Sequence, residues 1–227
     1  MLIFLNKNKR IIESLYLLGD IFETWIGDDE ATETSEKISR LLAQCIQAGM
    51  KVYFMRGNRD FLLGEKFTCH NGIHLLEDKT IILLYGKPTL LMHGDLLCTN
   101  DRAYQYYRKI MFSPWVKKIC LSLPLNLRRA MAKKLRSISE YSQRLKKKAI
   151  DTIPQESVIQ ALENTHTTLL IHGHIHQAGE YDIPLTHQIG KRLVLGAWDS
   201  QQGNAIIASE NKPPRLISFK EAIELTN

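Results

Sequence analysis

The sequence predicts an α/β fold with sheet at its core, and three observations carry that prediction. Apolar runs of strand length recur along the chain, and several end in a turn rich in Gly, Asp, Asn and His. A segment of helical period separates the first two runs, so strand and helix alternate at the start. Beyond it strand-like runs dominate, broken by one strongly basic segment of helical character. At 227 residues the chain suits a single domain, 1–227, with a substantial core. Its 44% hydrophobic and 24% charged residues mark an ordinary globular protein rather than a disordered one.

The elements follow in order. "LYLLGD" (15–20) reads as a strand that delivers Asp20 at its end. "TETSEKISRLLAQCIQAGM" (32–50) has helical spacing, with Ile38, Leu41, Leu42, Cys45 and Ile46 on one face and Gly49 closing it. "KVYFMRGNRD" (51–60) is strand-like and ends in a polar turn. "TIILLYGKPTLLMHGD" (80–95) reads as two strands around "YGKP", and "HTTLLIHGHIH" (166–176) repeats the form. "KRLVLGAW" (191–198) and "NAIIASE" (204–210) read as a terminal antiparallel pair. Between the strand–turn motifs lie "DRAYQYYRKI", "SPWVKKICLSL" and "NLRRAMAKKLRSISEYSQRLKKKAI", helices punctuated by Pro114 and Pro124. This segment, about 101–150, reads as a helical insertion that caps the sheet domain.

Charge concentrates in that insertion. From Asp101 to Ile150 there are 14 Lys and Arg against two acids, a balance of +12, whereas the rest carries 16 bases and 22 acids, or −6. Such asymmetry points to a local anionic partner: nucleic acid, an acidic membrane surface or a phosphorylated substrate. Tyr104, Tyr106, Tyr107, Phe112 and Trp115 add aromatic surface, which suits an anionic lipid surface. The segment matches no familiar nucleic-acid motif, so nucleic acid is not the expected partner. No apolar stretch approaches the ~20 residues that span a bilayer, and the start does not read as a signal peptide. Cys45, Cys69, Cys98 and Cys120 are scattered and read as free thiols of a reducing cytoplasm.

Chemistry gathers in four strings in which an apolar run ends in metal-ligand residue types: "LLGD" at Asp20, "MRGNRD" at Asn58, "LLMHGD" at His93, and "LIHGHIH" at His174 and His176. Ligands at strand C-termini converge on one sheet edge, where α/β folds place their sites. On an extended backbone His174 and His176, two residues apart, point to the same side. The mixture of Asp, Asn and His suits Mn²⁺, Zn²⁺ or Fe²⁺. Two such cations bridged by a carboxylate can clamp a phosphoryl group and acidify a water. Asp60 reads as a residue that orients a ligand or Arg59. Asp28 and Asp29 read as structural, and His172 as either a hydrogen-bonding neighbour of the site or a plain strand residue. Cys69, His70 and His74 lack a fourth ligand nearby.

The order "GD…GNRD…HGD…GHIH" resembles the calcineurin-like metallophosphoesterase superfamily, whose pattern is D-x-H, G-D-x-x-D, G-N-[HR]-[DE], H and G-H-x-H. "LGDIFETWIGDD", "GNRDFLLG", "LLMHGDLLCTND" and "LIHGHIHQ" are similar, over nearly the whole chain, to its UDP-2,3-diacylglucosamine pyrophosphohydrolase branch. That resemblance implies a β-sandwich core flanked by helices, with the insertion as a cap. It also implies Mn²⁺-dependent hydrolysis of the pyrophosphate in UDP-2,3-diacylglucosamine to UMP and the diacylglucosamine 1-phosphate, in lipid A biosynthesis. Asp20 is then the bridging ligand, with Asn58, His93 and His174 completing one metal and His176 belonging to the other. Arg59 holds a phosphate oxygen, a task suited to a planar fork of donors. Asp101, Ser139, Gln143 and Lys146 fall where the family contacts substrate. The insertion would hold the acyl chains and graze the inner membrane, which places the protein, as a monomer, on its cytoplasmic face.

One motif of the pattern is not matched. The first acid of this sequence is Glu13 and the first His is His70, so no D-x-H strand precedes "LYLLGD". The expectation is a core fold lacking its first strand, with one metal site fully supplied and the other left with Asp20 and His176. The expected cause is a late-assigned start or truncated frame, with Met1 an internal residue; a shortened paralogue that binds without turnover is the alternative. A phosphoesterase acting on a soluble nucleotide is the other enzyme reading.

Overall fold

A computed structural model describes residue 5 and residues 7–145, 153–198 and 203–224. Strand β1 (Ser14–Leu17) pairs in parallel with β2 (Lys51–Met55), and β2 with β3 (His74–Leu76). A five-stranded mixed sheet follows, in the order β4 (Lys79–Leu84), β5 (Lys87–Met92), β6 (Leu169–His172), β8 (Ile189–Val194), β7 (Gly179–Pro184). Its centre, β5–β6–β8, is parallel, and β4 and β7 run antiparallel at its edges. β9 (Asn204–Ser209) and β10 (Lys212–Ser218) form an antiparallel hairpin.

The side-chain alternation of the strands explains how these sheets stack. Val52 and Phe54 of β2 face one way, into a core shared with Ile38, Leu41, Leu42 and Cys45 of helix α1 (Glu33–Gln47). Met55 faces the other way and meets Leu91, Leu169, Ile171 and Leu193 of the five-stranded sheet. On that sheet's far side, Leu90, Met92 and Leu170 pack against Val158, Ala161 and Leu162 of helix α6 (Gln155–Asn164). The layers therefore run helix, sheet, sheet, helix. Each fully buried Leu, Val or Phe in them contributes about 1.5–3 kcal/mol of transfer free energy. The start of α1 is set by a capping box, in which Thr32 and Ser35 each accept from the other's backbone N–H, at 3.1 and 2.9 Å.

The two strands expected to form a terminal antiparallel pair do not pair with each other. β8 lies between β6 and β7, and β9 pairs with β10. The reason is local: Leu185 N–H donates to the Gln188 carbonyl and closes a tight β7–β8 turn, which sequence reading passed over. Ala205, Ile207, Ile217 and Phe219 of the hairpin and of α7 (Phe219–Glu224) join the core that holds Leu17 of β1.

Three helices occupy the basic segment: α3 (Arg102–Met111), α4 (Pro114–Ser122) and α5 (Leu125–Leu145), and a short α2 (Glu65–His70) follows "GNRDFLLG". Pro114 opens α4 at a position where its missing N–H costs nothing. Two buried arginines tie the segment to the core. Arg108 reaches Asp95 at 2.5 Å and Asp78 at 3.0 Å, and Arg128 donates to the carbonyls of Ile26 and Leu123 and forks onto Asp29. Tyr106, Trp115 and Ile119 stand exposed on these helices. Among the described residues no helix is long and apolar enough to cross a membrane.

Candidate metal centre

The four strings converge because β1, β2, β5 and β6 all end at the same side of the stacked sheets. Gly19 and Gly57 let the first two loops touch. Gly19 has φ +85°, and a Cβ on it would lie 2.5 Å from the Gly57 nitrogen and 2.7 Å from His93 Nδ1. Asp60 then stitches the loops together, its fully buried carboxylate accepting from Gly57 N–H at 2.6 Å and from Ile21 N–H at 2.9 Å. Burial, with the Asp20 charge beside it, pushes Asp60 up to about 6. Asp28 is structural, as read from sequence: it accepts from Trp25 Nε1 and from the backbone of Gly64 and Phe67 at the start of α2.

His93 sets the electrostatics. It is buried, and its Nδ1 lies 2.7 Å from the Leu18 carbonyl, which can only accept. The proton of a neutral ring therefore sits on Nδ1 and leaves a lone pair on Nε2. Around that Nε2 stand Asn58 Oδ1 at 3.1 Å, His174 Nδ1 at 3.2 Å and Asp20 Oδ2 at 3.7 Å. Ligand atoms of Asp20, His93 and His174 all fall within 4.8 Å of one another. Burial and the neighbouring His93 push His174 down to about 4, so it is neutral with a lone pair at ordinary pH. A single proton can satisfy only one of these contacts, whereas one cation satisfies all. The donor set present therefore fits a divalent ion of borderline hardness.

Arg59 lies at the rim. Its backbone N–H donates to Asp20 Oδ1 at 2.9 Å, its Nε stands 3.6 Å from Asp20 Oδ2, and its Nη1 meets Glu23 at 3.2 Å. Glu23 also holds Arg136 of α5 at 2.9 Å, linking the rim of the site to the helical segment. On the other side the Tyr104 ring of α3 lies tilted beside that of His174, 6.1 Å between ring centroids, and its hydroxyl donates to the buried Asp95 at 2.8 Å. Burial pushes the Asp95 carboxyl up, but the charges of His93, Arg108 and His174 outweigh it and hold it below the usual range.

Asp20, Asn58, Arg59, His93 and His174 thus meet at one place. His176 stands outside the close cluster, although the charges of Arg59, Asp20 and His93 all reach it. The extended geometry expected for the two histidines does not hold. β6 stops at His172, and His174 and His176 lie in the loop beyond with φ of +72° and +56°. Asp101 caps α3, accepting from Tyr104 N–H at 3.1 Å. Ser139 and Gln143 lie on α5, one and two turns past Arg136; Lys146 lies outside the described residues. Sequence reading missed Asp95, Glu23, Arg108 and Arg136, and took Tyr104 only for part of the insertion's aromatic surface. Asp95 alone had a signal, as the acid of "HGD".

No family model matches the chain. Individual relatives do. It is 46% identical to a UDP-2,3-diacylglucosamine hydrolase of Coxiella burnetii, over 96% of this chain and 89% of that protein. A UDP-2,3-diacylglucosamine hydrolase of Photorhabdus laumondii is 41% identical over 95% and 89% of the two chains. The chain belongs to the UDP-2,3-diacylglucosamine hydrolase family. An Escherichia coli hydrolase of that family is 38% identical over 87% of this chain and 82% of its own. Among solved structures, a protein of unknown function from Aquifex aeolicus aligns with 77% of this chain and 64% of its own, at 16% identity and a TM-score of 0.36. That likeness is too loose to carry an argument.

Proposed function

We propose that this chain is a metal-dependent hydrolase that cleaves the pyrophosphate of UDP-2,3-diacylglucosamine, yielding UMP and 2,3-diacylglucosamine 1-phosphate for lipid A biosynthesis. The observation that carries the reading is the knot of lone pairs from Asp20, Asn58, His93 and His174 with Arg59 at its rim, in a member of this hydrolase family. The motif order supports a calcineurin-like metallophosphoesterase fold and a single domain with its insertion at about 101–150.

Asp20, Asn58, His93 and His174 would hold one cation, with Mn²⁺ the expected ion, and Asp20 with His176 would supply part of a second site. When bound, the cation polarises a phosphoryl oxygen and acidifies an attacking water. The chain's own residues position the reaction. Arg59 offers a charged fork to a phosphate oxygen, and its contacts with Asp20 and Glu23 aim that fork at the rim. His174, neutral and braced by Tyr104, faces the same place and can donate toward charge that develops on the phosphate. The departing group needs no acid, because a phosphate monoester is a weak base.

The insertion supplies the rest. Its basic helices suit an anionic substrate, and Asp101, Ser139, Gln143 and Lys146 are its proposed contacts. Its exposed Tyr106, Trp115 and Ile119 suit acyl chains and an anionic bilayer surface, so we place the enzyme, as a monomer, on the cytoplasmic face of the inner membrane. The test is Mn²⁺-dependent release of UMP from UDP-2,3-diacylglucosamine in mixed micelles. Equal rates on a deacylated nucleotide sugar would favour a soluble-nucleotide phosphoesterase instead. No UMP release from a folded, Mn²⁺-loaded protein would leave only a binding role.

A further inference from the structure

The loop that presents His174 is held by a hydrogen-bond chain that begins on a different strand. β6 ends at His172, whose ring is completely buried. Arg192 of β8 donates from Nε to His172 Nε2 at 2.9 Å. A guanidinium only donates, so that ring nitrogen must carry the lone pair. The proton of the ring then sits on Nδ1, which lies 2.8 Å from the Gly173 carbonyl, a group that only accepts. The tautomer of His172 is set from both ends.

The same carbonyl closes a strained turn. Ile175 N–H donates to Gly173 O at 2.9 Å, and His174 between them has φ +72°. This is the rare γ-turn geometry, which is strained for a non-glycine residue and persists only where its surroundings hold it. Gly173 N–H donates to the His93 carbonyl at 2.8 Å, and Leu195 N–H donates to the His172 carbonyl at 2.8 Å, tying the turn to β5 and β8. Arg192 itself is steadied by the Tyr181 ring, 5.3 Å away.

We propose that Arg192 and His172 are positioning residues: Arg192 fixes His172 as the Nδ1–H tautomer, and His172 clamps the Gly173 carbonyl that keeps His174 in its turn. The purpose of the clamp rests on the reading of His174 as a metal contact. A ring held between an obligate donor and an obligate acceptor orients the peptide before a ligand, much as partners of metal-bound imidazoles orient the ligands themselves.

Nitrogen-15 spectra of histidine-labelled, metal-free protein read the tautomer directly, with the His172 signal identified by its loss in His172→Asn. Protonated Nδ1 and unprotonated Nε2 are expected; a proton on Nε2 overturns the clamp, and this needs no variant at Arg192. Replacing Arg192→Met, which keeps length but no donor, should give mixed tautomers and weaken Mn²⁺ binding by about 10–100-fold in calorimetry. Arg192→Lys, which keeps a cationic donor, should recover most of that affinity. An Arg192→Met protein that retains the Nδ1–H tautomer and binds Mn²⁺ within twofold of wild type overturns the proposal. Unchanged Mn²⁺ affinity in His174→Ala would instead overturn the metal reading, so the two failures are distinguishable.

Discussion

At the scale of single residues, the site depends on groups that bind no cation as much as on those that would. Asp20 joins every part of it, touching Arg59 through backbone and side chain and standing beside His93. Asp20→Ala should therefore drop UMP release below about a tenth of the wild-type rate, a loss of more than about 1.4 kcal/mol in barrier terms; a steady-state assay checks it. Asp60 holds two backbone N–H groups of the ligand loops from a fully buried position. Asp60→Ala strands both donors and should cost about 2–4 kcal/mol in urea unfolding, a larger loss than an exposed carboxylate would produce. Asp20, Asn58 and the histidines were legible in the sequence because metal-ligand types at strand ends are conspicuous. Asp95 was less so, because an acid in a turn looks alike whether it faces water or a buried arginine. Only contact separates the two.

At the scale of elements, the insertion is the part whose attachment matters most. Its helices were readable from spacing and from Pro114 and Pro124, and the structure starts each of them close to where it was expected, the expected end of the third lying outside the described residues. Their docking was not readable. Arg108 bridges Asp95 and Asp78 with its side chain buried, and Arg108→Met would leave Asp95 as an uncompensated buried charge. The expected cost is about 3–5 kcal/mol, read as a lower unfolding midpoint in denaturant. The same pair predicts a pH effect. Asp95 is held below its ordinary pKa, so its contribution is present above the unfolded value near 4 and disappears as pH falls through the lower, folded one. Thermal melts of wild type should thus fall more steeply below pH 4 than those of Asp95→Asn. Parallel melts that fall together would contradict it.

For the whole molecule, cation binding and folding should be linked. Four ligand-type side chains arrive from four strands of two sheets, a set that an unfolded chain does not assemble. A cation at 100 times its dissociation constant adds about 2.7 kcal/mol to stability. For a chain of this size a chelator should then lower the melting temperature by about 5–10 °C, with re-addition of Mn²⁺ restoring it. A melting temperature indifferent to chelation would count against the site.

The sequence by itself determined the α/β class, the helical basic segment and the five residues that meet at the site. It could do so because periodicity and residue chemistry are local properties that survive without contacts. Tertiary structure alone decided that β8 pairs with β6 and β7 rather than with β9, because pairing depends on which strand edges face each other. It alone decided that His174 sits in a strained turn rather than on a strand, since the neighbouring His172 and Gly173 are tied to Arg192 and His93 from elsewhere in the chain. And it alone decided which acids are solvated and which are locked to arginine, because burial is a property of the neighbours and not of the residue.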